Sequence, residues 1–565
     1  MSQQRKKWSL VVAVSAALTA TLTAPAGAGL PLPGIDVAEQ QPASAEPVTT
    51  YVYGVQAPTA ADAEKLARQG FDLLEDRDGD TLFVAGDAAV GKKLAAAGFR
   101  AEVFDTMRPS WENPGGLIGN PDPKNAKVAD TFYGGYHTSM GHMNHLQQVA
   151  SAKPDLTRIH NLGKTYTGKY DVRAICITKL AQGDCEQRND GAKPKFFLMT
   201  QTHAREIAAG EMSYKFIDHL TNGYGSDAEV TALLDSTEVW VVPIANPDGL
   251  DIVAQGARPS MQRKNRNPTG GNCTGDSVGV DLNRNNDSHW GGAGTSKNPC
   301  NDTYLGPSAS SELENKALHN VWAKIFKKQR AGGNSPAPVT ATGYMLSIHT
   351  VAGMNLVPWQ YANTPAPNDK ALKAIGAQMK SYNGYQTGQA PQILYAASGG
   401  HDDYIYDKLG VASSTIELGG AGQCGGTNFH PPYSCVETYW KANKSVLMYL
   451  GKIAKAPYAA SFGPNVRSAE ITGANLSVTV DARTYENAAK GRENVGGDAT
   501  TVEYSFDPTF ASASPLALKR SGVTATASVA VNAAGQPAGR RMVYVRAKDK
   551  AGNYGPTTAT WITVG

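Results

Sequence analysis

The sequence predicts an α/β core with a small α+β unit before it and an all-β sandwich after it. Three observations carry this prediction. Between Asp130 and Lys455 apolar strands alternate with helical patterns, as in a sheet covered by helices. Residues 48–105 twice repeat a strand, a helix, Gly-Phe and a strand. After Lys455 the pattern becomes period-two alternation between Gly, Asn and Pro turns. At 565 residues and 41% hydrophobic content, the chain is too long for one core and too apolar for disorder.

Taken in order, Arg5-Lys6-Lys7 precede a mostly apolar stretch from Trp8 to Leu22, and Ala26-Gly27-Ala28 supplies small residues for cleavage. Residues 1–28 therefore read as a secretory signal, and the protein is expected to be secreted and extracellular. A membrane anchor is the rival, but Ser and Thr interrupt the stretch and it is short for a span. Residues 29–47, rich in Pro, Ala and Gln, read as a linker. The repeated unit of residues 48–105 carries no candidate ligand or nucleophile. It is expected to be a pro-segment that covers the functional cleft until proteolysis, against the alternative of a passive folding domain. Residues 106–129 form a connector. Its stretch from Arg108 to Asp122 holds three prolines and three glycines and is the expected maturation cut.

In the core, residues 130–455, the strand candidates are Phe196–Thr200, Glu238–Ile244, Tyr344–Ile348 and Val411–Leu418. The helix candidates are Ile207–Leu220, Ser311–Lys327, Asp369–Met379 and Glu437–Ile453. Residues 456–565 offer the strands Ser477–Val480, Thr501–Phe506, Thr524–Val531 and Met542–Ala547. Asp549 to Gly555 is read as the final hairpin of an immunoglobulin- or fibronectin-like module.

Removing residues 1–28 takes Arg5, Lys6 and Lys7 and no acidic residue from 53 basic and 50 acidic groups, leaving 50 of each. A near-neutral chain gives no reason to expect nucleic acid or a membrane as partner. Export permits disulfides, and proximity couples Cys176 with Cys185, Cys273 with Cys300, and Cys424 with Cys435, among the fifteen connectivities open to six cysteines. A cysteine metal site is the rival reading, but the chain has no Cys-x-x-Cys.

The chemistry is concentrated after two apolar runs. His203-Ala204-Arg205-Glu206 follows Phe196–Met199, and His349 follows Tyr344–Leu346. Two histidines and a carboxylate at strand ends suit a catalytic Zn²⁺, which takes three N/O ligands and leaves a fourth position open. Asp281 is placed to orient His203 through its other ring nitrogen. A satisfied core histidine is the bland alternative for His349.

At these residues the chain resembles the funnelin group of zinc carboxypeptidases, the family of pancreatic carboxypeptidases A and B and their secreted bacterial relatives. The resemblance covers roughly Tyr133 to Leu450. It rests on an ordered set: His203–Glu206, Asn246-Pro247-Asp248-Gly249, Arg263-Lys264-Asn265-Arg266, Val280–Asn285, Ser347-Ile348-His349, Tyr395–Gly400 and Thr415–Leu418. It implies a mixed sheet of eight-stranded type flanked by helices, with one Zn²⁺ held by His203, Glu206 and His349. The substrates implied are peptides or proteins with a free C-terminus.

By the same resemblance Glu417 is the catalytic carboxylate and Arg266 polarises the scissile carbonyl. Asn283 and Arg284 clamp the terminal carboxylate, Tyr395 closes over substrate, and Arg205 assists along the cleft. Asp402 falls at the base of the pocket for the C-terminal side chain. A buried carboxylate is costly unless paired, so an entering Lys or Arg is expected to supply its partner. Gln360, in Trp359-Gln360, stands where the family often has a small residue or an aromatic followed by glycine. It is expected to narrow or reshape that pocket, which leaves the strictness of the basic preference open; the alternative for Asp402 is local hydrogen bonding only, with a pocket of mixed specificity.

Two other functions compete: a zinc amidase acting on peptidoglycan peptides or other non-protein amides, and a binding protein with a degenerate enzyme core. A monomer is expected.

Overall fold

The computed structural model describes residues 49–107, 130–256, 259–268, 271–420, 422–426, 428–483, 485 and 499–565. The expected signal, linker and maturation cut lie outside these residues.

The core is a mixed eight-stranded sheet. Its order is Gln386–Gly388, Met354–Leu356, Ala412–Leu418, Tyr344–Thr350, Lys195–Thr200, Glu238–Val242, Asp171–Ile177 and Thr157–Lys164. The three strands starting at Lys195, Tyr344 and Ala412 lie parallel in the centre, where helices cover both faces. Every residue in them is buried, so the apolar runs Phe196–Met199 and Tyr344–Leu346 do not alternate, while Ala412–Leu418 buries Ser413, Ser414, Thr415 and Glu417 as well. Phe196, Phe197, Leu198 and Met199 are all fully buried, each stabilising the fold by roughly 1.5–3 kcal/mol relative to exposure.

Element ends follow local chemistry. The strand expected to reach Ile244 stops at Val242, because Pro243 cannot donate to a ladder. The helix expected from Ser311 begins at Leu313, since Glu312 is still extended. The helix from Asp369 runs past Met379 to Asn383 and ends at Gly384, whose positive φ of 75° suits glycine. Asn246 caps the helix Pro247–Ala254 by accepting from Gly249 N–H at 3.0 Å, and its amide donates to Thr202 and Lys264 carbonyls. That single asparagine ties the helix start to the loop before His203.

The N-terminal unit, Thr50–Met107, is one antiparallel sheet of four strands with helices Ala60–Ala67 and Ala88–Ala96, its last strand ending two residues beyond the expected boundary. After the helix Cys435–Ile453 come two four-stranded antiparallel sheets built from residues 465–564, sharing one apolar cluster that includes Leu476, Val480, Val502, Val543 and Val545. Asp549–Gly555 turns between their last two strands, with Asp549 accepting from Asn553 N–H at 2.8 Å. The three expected cysteine pairs are bonded: Cys176–Cys185, Cys273–Cys300 and Cys424–Cys435. Among the described residues no helix is long and apolar enough to cross a membrane.

Candidate metal centre and cleft

The parallel strands at the middle of the sheet end side by side, and their ends build the site. Lys195–Thr200 leads into a loop carrying His203, and Glu206 starts the helix Ile207–Gly223. His349 lies near the end of its strand, in register with Glu417 on the parallel neighbour. Both histidines and both glutamates are buried.

Among the described residues, His203, Glu206 and His349 are the one group of three metal-ligating side chains with all ligand atoms within 4.8 Å of one another. The two Nδ1 atoms stand 3.2 Å apart, with Glu206 Oε1 2.5 Å from that of His203 and Oε2 2.9 Å from that of His349. Their Nε2 atoms are engaged elsewhere, with Asp281 Oδ1 at 3.2 Å and Ser347 Oγ at 2.9 Å. Each ring is thus oriented by a second group so that the remaining nitrogen faces one centre. Two imidazoles and a carboxylate converging in this way are the donor set of a three-ligand zinc site, which these residues fit.

The surrounding charges keep the acids ionised. Burial raises the pKa of Glu206, but His203 and His349 outweigh it and hold the group below the ordinary carboxylate range. Asp281 is likewise raised by burial and, more strongly, lowered by Arg263, His203 and Arg284. Arg263 is the residue that motif reading missed. Its Nε donates to Asp281 at 3.1 Å and its Nη1 lies 3.8 Å from Glu206, whereas Arg266 donates to Gln262 Oε1 at 3.0 Å and to Gly275 O at 3.4 Å. Both arginines sit in one basic run, and spacing alone does not tell which guanidinium turns inward.

The Asn283-Arg284 loop is laced to the loop before Asp402. Asn286 donates through backbone and side chain to Gly399 O at 3.1 and 2.7 Å. Gly399 sits so close to Arg284 that a Cβ there would meet Arg284 O at 2.3 Å, which excludes any side chain. Asn283 Oδ1 accepts from the backbone N–H of His401 at 3.1 Å and lies 3.0 Å from its ring Nδ1. Arg284 is buried and donates to the carbonyls of Gly294 and Asn283 at 2.8 and 3.0 Å.

Three placements differ from expectation. Asp402, in the first turn of the helix His401–Leu409, is not a bare carboxylate. It needs no substrate to find a partner: Oδ1 accepts from Asp403 N–H at 2.9 Å, Thr415 Oγ1 is 3.2 Å from Oδ2, and Gln360 Nε2 donates to Oδ2 as well. Arg205, expected to line an open cleft, is fully buried. It grips Asp72 of the N-terminal unit through two hydrogen bonds of 2.7 and 2.6 Å, reaches Asp302 at 3.4 Å and stacks on Phe429. Tyr395 is 3% exposed, in an apolar cluster shared with Tyr53, Val55 and Leu66 of the same unit.

The zinc carboxypeptidase family model matches residues 142–446, more than half of the chain. Human carboxypeptidase B is 32% identical over 286 residues, 49% of this chain and 62% of that protein, so the chain spans under two thirds of that relative's length. A zinc carboxypeptidase of Saccharothrix mutabilis subsp. capreolus is 28% identical over 414 residues, 72% of this chain and 89% of that protein. Among solved structures, carboxypeptidase A of Helicoverpa armigera superposes with a TM-score of 0.56 at 23% identity, covering 72% of this chain and 98% of that one. Thrombin-activatable fibrinolysis inhibitor gives 0.54 at 22%, covering 72% and 99%. These two likenesses show the shared fold.

Proposed function

Because the chain belongs to the zinc carboxypeptidase family, we propose that it is a zinc-dependent metallocarboxypeptidase hydrolysing the C-terminal bond of peptides and proteins. The observation that carries this reading is the convergence of His203, Glu206 and His349 on one point, with Glu417 on the adjoining strand. When bound, zinc supplies Lewis-acid chemistry, making water acidic enough to react near neutral pH and polarising the scissile carbonyl.

The chain's own residues do the rest. Glu417 takes the proton from the attacking water and delivers it to the departing amine. Arg266 stabilises the negative charge that develops on the carbonyl oxygen, which requires its side chain to swing from Gln262 toward substrate. Asn283 and Arg284 hold the terminal carboxylate. Since Asn283 Oδ1 is occupied by His401, its amide nitrogen is left to donate to substrate. Tyr395 closes over the bound peptide. Asp402 lies at the base of the side-chain pocket, which we read as preferring Lys and Arg while admitting other ends.

We further propose that residues 48–105 are a pro-segment and that the chain is exported. Asp72 on Arg205 and the burial of Tyr395 support the first, because both engage residues assigned to substrate. The signal-like residues 1–28 and three disulfides support the second.

Mass spectrometry of a peptide and its C-terminally amidated twin, with and without a chelator, tests the reading. One residue should be lost from the free acid only, and only without chelator. Equal cleavage of the amidated twin would refute an exopeptidase and favour an amidase or endopeptidase.

A further inference from the structure

The side-chain pocket contains a contact that residue type alone would not foretell. Gln360 is held rigidly by its main chain: its N–H donates to both carboxylate oxygens of Asp403 at 3.0 Å, and its carbonyl accepts from Ala397 N–H at 2.9 Å. From that fixed base its amide group reaches Asp402 Oδ2, passing 3.4 Å from Thr415 Oγ1. Gln360 and Asp402 are 6% and 2% exposed, so water competes little for this bond. All three donors on Asp402 are neutral: an amide, a hydroxyl and a backbone N–H.

Two consequences follow. The carboxylate that would recognise a cation is already occupied. A C-terminal Lys or Arg must therefore displace the amide before it can pair directly, losing one hydrogen bond to a charged group for each new one made. An apolar C-terminal side chain meets a capped surface in place of a bare buried charge, and so escapes most of the cost of lying against an unpaired carboxylate.

We propose that Gln360 is a specificity-determining residue of this pocket, a neutral cap that competes with the substrate's basic side chain for Asp402 and so compresses the preference for Lys and Arg over apolar ends. The proposal rests on the carboxypeptidase reading and on Asp402 as the pocket base. It assigns the breadth of specificity to a residue 42 positions away from the acid it covers. Discrimination between two substrates is a difference of free energies, and removing a competitor for one of them changes that difference directly.

The test is the ratio of kcat/KM for two peptides identical except for a C-terminal Arg or Leu, measured on full-length and proteolytically processed protein loaded with zinc. Gln360→Ala keeps the backbone bonds to Asp403 and Ala397 and removes the side chain beyond Cβ, the amide included. It should raise the Arg/Leu ratio about 10- to 100-fold, the effect of one hydrogen bond to a charged group. Gln360→Met, which fills the same space without donating, separates competition for Asp402 from simple plugging: the ratio should rise there too, by a smaller factor. Asp402→Asn in the Gln360→Ala background should abolish the gain. A ratio unchanged or lowered in both Gln360 variants, with wild-type unfolding temperatures, overturns the cap. If Gln360→Ala raises the ratio but Asp402→Asn does not reverse the rise, the competition for Asp402 is overturned. Failure of the wild-type protein to release either residue overturns the carboxypeptidase reading itself, a result distinct from both.

Discussion

The N-terminal unit and the C-terminal sandwich both add antiparallel sheets to the same core, yet they attach to it in opposite ways. The N-terminal unit sends Asp72 to the guanidinium of Arg205, donates from Arg77 to Leu394 O at 3.1 Å, and packs its apolar face on Met354, Leu356, Leu394 and Tyr395. The sandwich grips outer helices and loops. Arg540 donates to the carbonyls of Gly225 and Ser226 at 3.0 and 2.7 Å, Trp561 donates to Ser226 O at 3.0 Å, and Arg467 stacks on Tyr382 at 3.7 Å. One unit thus occupies groups assigned to substrate, and among the described residues the other occupies none of them. A charge-to-charge contact suits a removable cover, since substrate can take its place, whereas backbone carbonyls on a helix end offer a permanent anchor.

The sharpest way to test this contrast begins with the reaction itself. Glu417→Gln should lower kcat by about 10²–10⁴ while leaving metal content unchanged, in full-length and processed protein alike. Metal analysis beside single-turnover rates checks this, and wild-type turnover would remove Glu417 from its role. Next, if the N-terminal unit is the proposed pro-segment, Asp72→Asn keeps its shape but removes this charge, and kcat/KM of the full-length protein should rise about tenfold, the scale of one hydrogen bond between charged groups. An unchanged value would mean that the N-terminal unit does not restrain the site through Arg205.

A third expectation concerns pH. Burial, reinforced by Asp72, pushes the pKa of Asp302 up to about 7. A carboxyl raised on folding contributes stability that is fully present below its unfolded value, near 3.8, and is lost as pH rises through the folded value. Wild-type unfolding temperature should therefore fall relative to Asp302→Asn as pH climbs from about 4 to about 8. A difference that stays flat across that range would contradict the shift. The smallest effect belongs to the sandwich: Trp561→Ala should lower stability by about 1 kcal/mol with kcat/KM unaltered, read by thermal unfolding and peptide kinetics. A change in kcat/KM would erase the distinction between the two attachments.

Much of the fold was legible because its signals are local. Apolar runs without alternation, Phe196–Met199 and Tyr344–Leu346, marked two of the buried parallel strands, and period-two patterns marked the sandwich. The three cysteine pairs span only 9, 27 and 11 residues. Boundaries slipped where a single residue decided them, as at Pro243 and Glu312. In the site, His203 and Glu206 lie three residues apart, so one loop presents both, and residue type alone limits what they can bind.

Residue type and spacing by themselves determined most secondary elements and the layered core and singled out the candidate ligand set, because periodicity and donor chemistry are properties of short stretches. Which partner each buried charge takes was decided only by tertiary structure. Arg205 meets Asp72 across 133 residues, Gln360 covers Asp402 across 42, and Arg263 turns inward where its neighbour Arg266 turns away. A buried ion must be paired with whatever the packed elements bring within about 3 Å, and no local pattern records what the far side of the fold will supply.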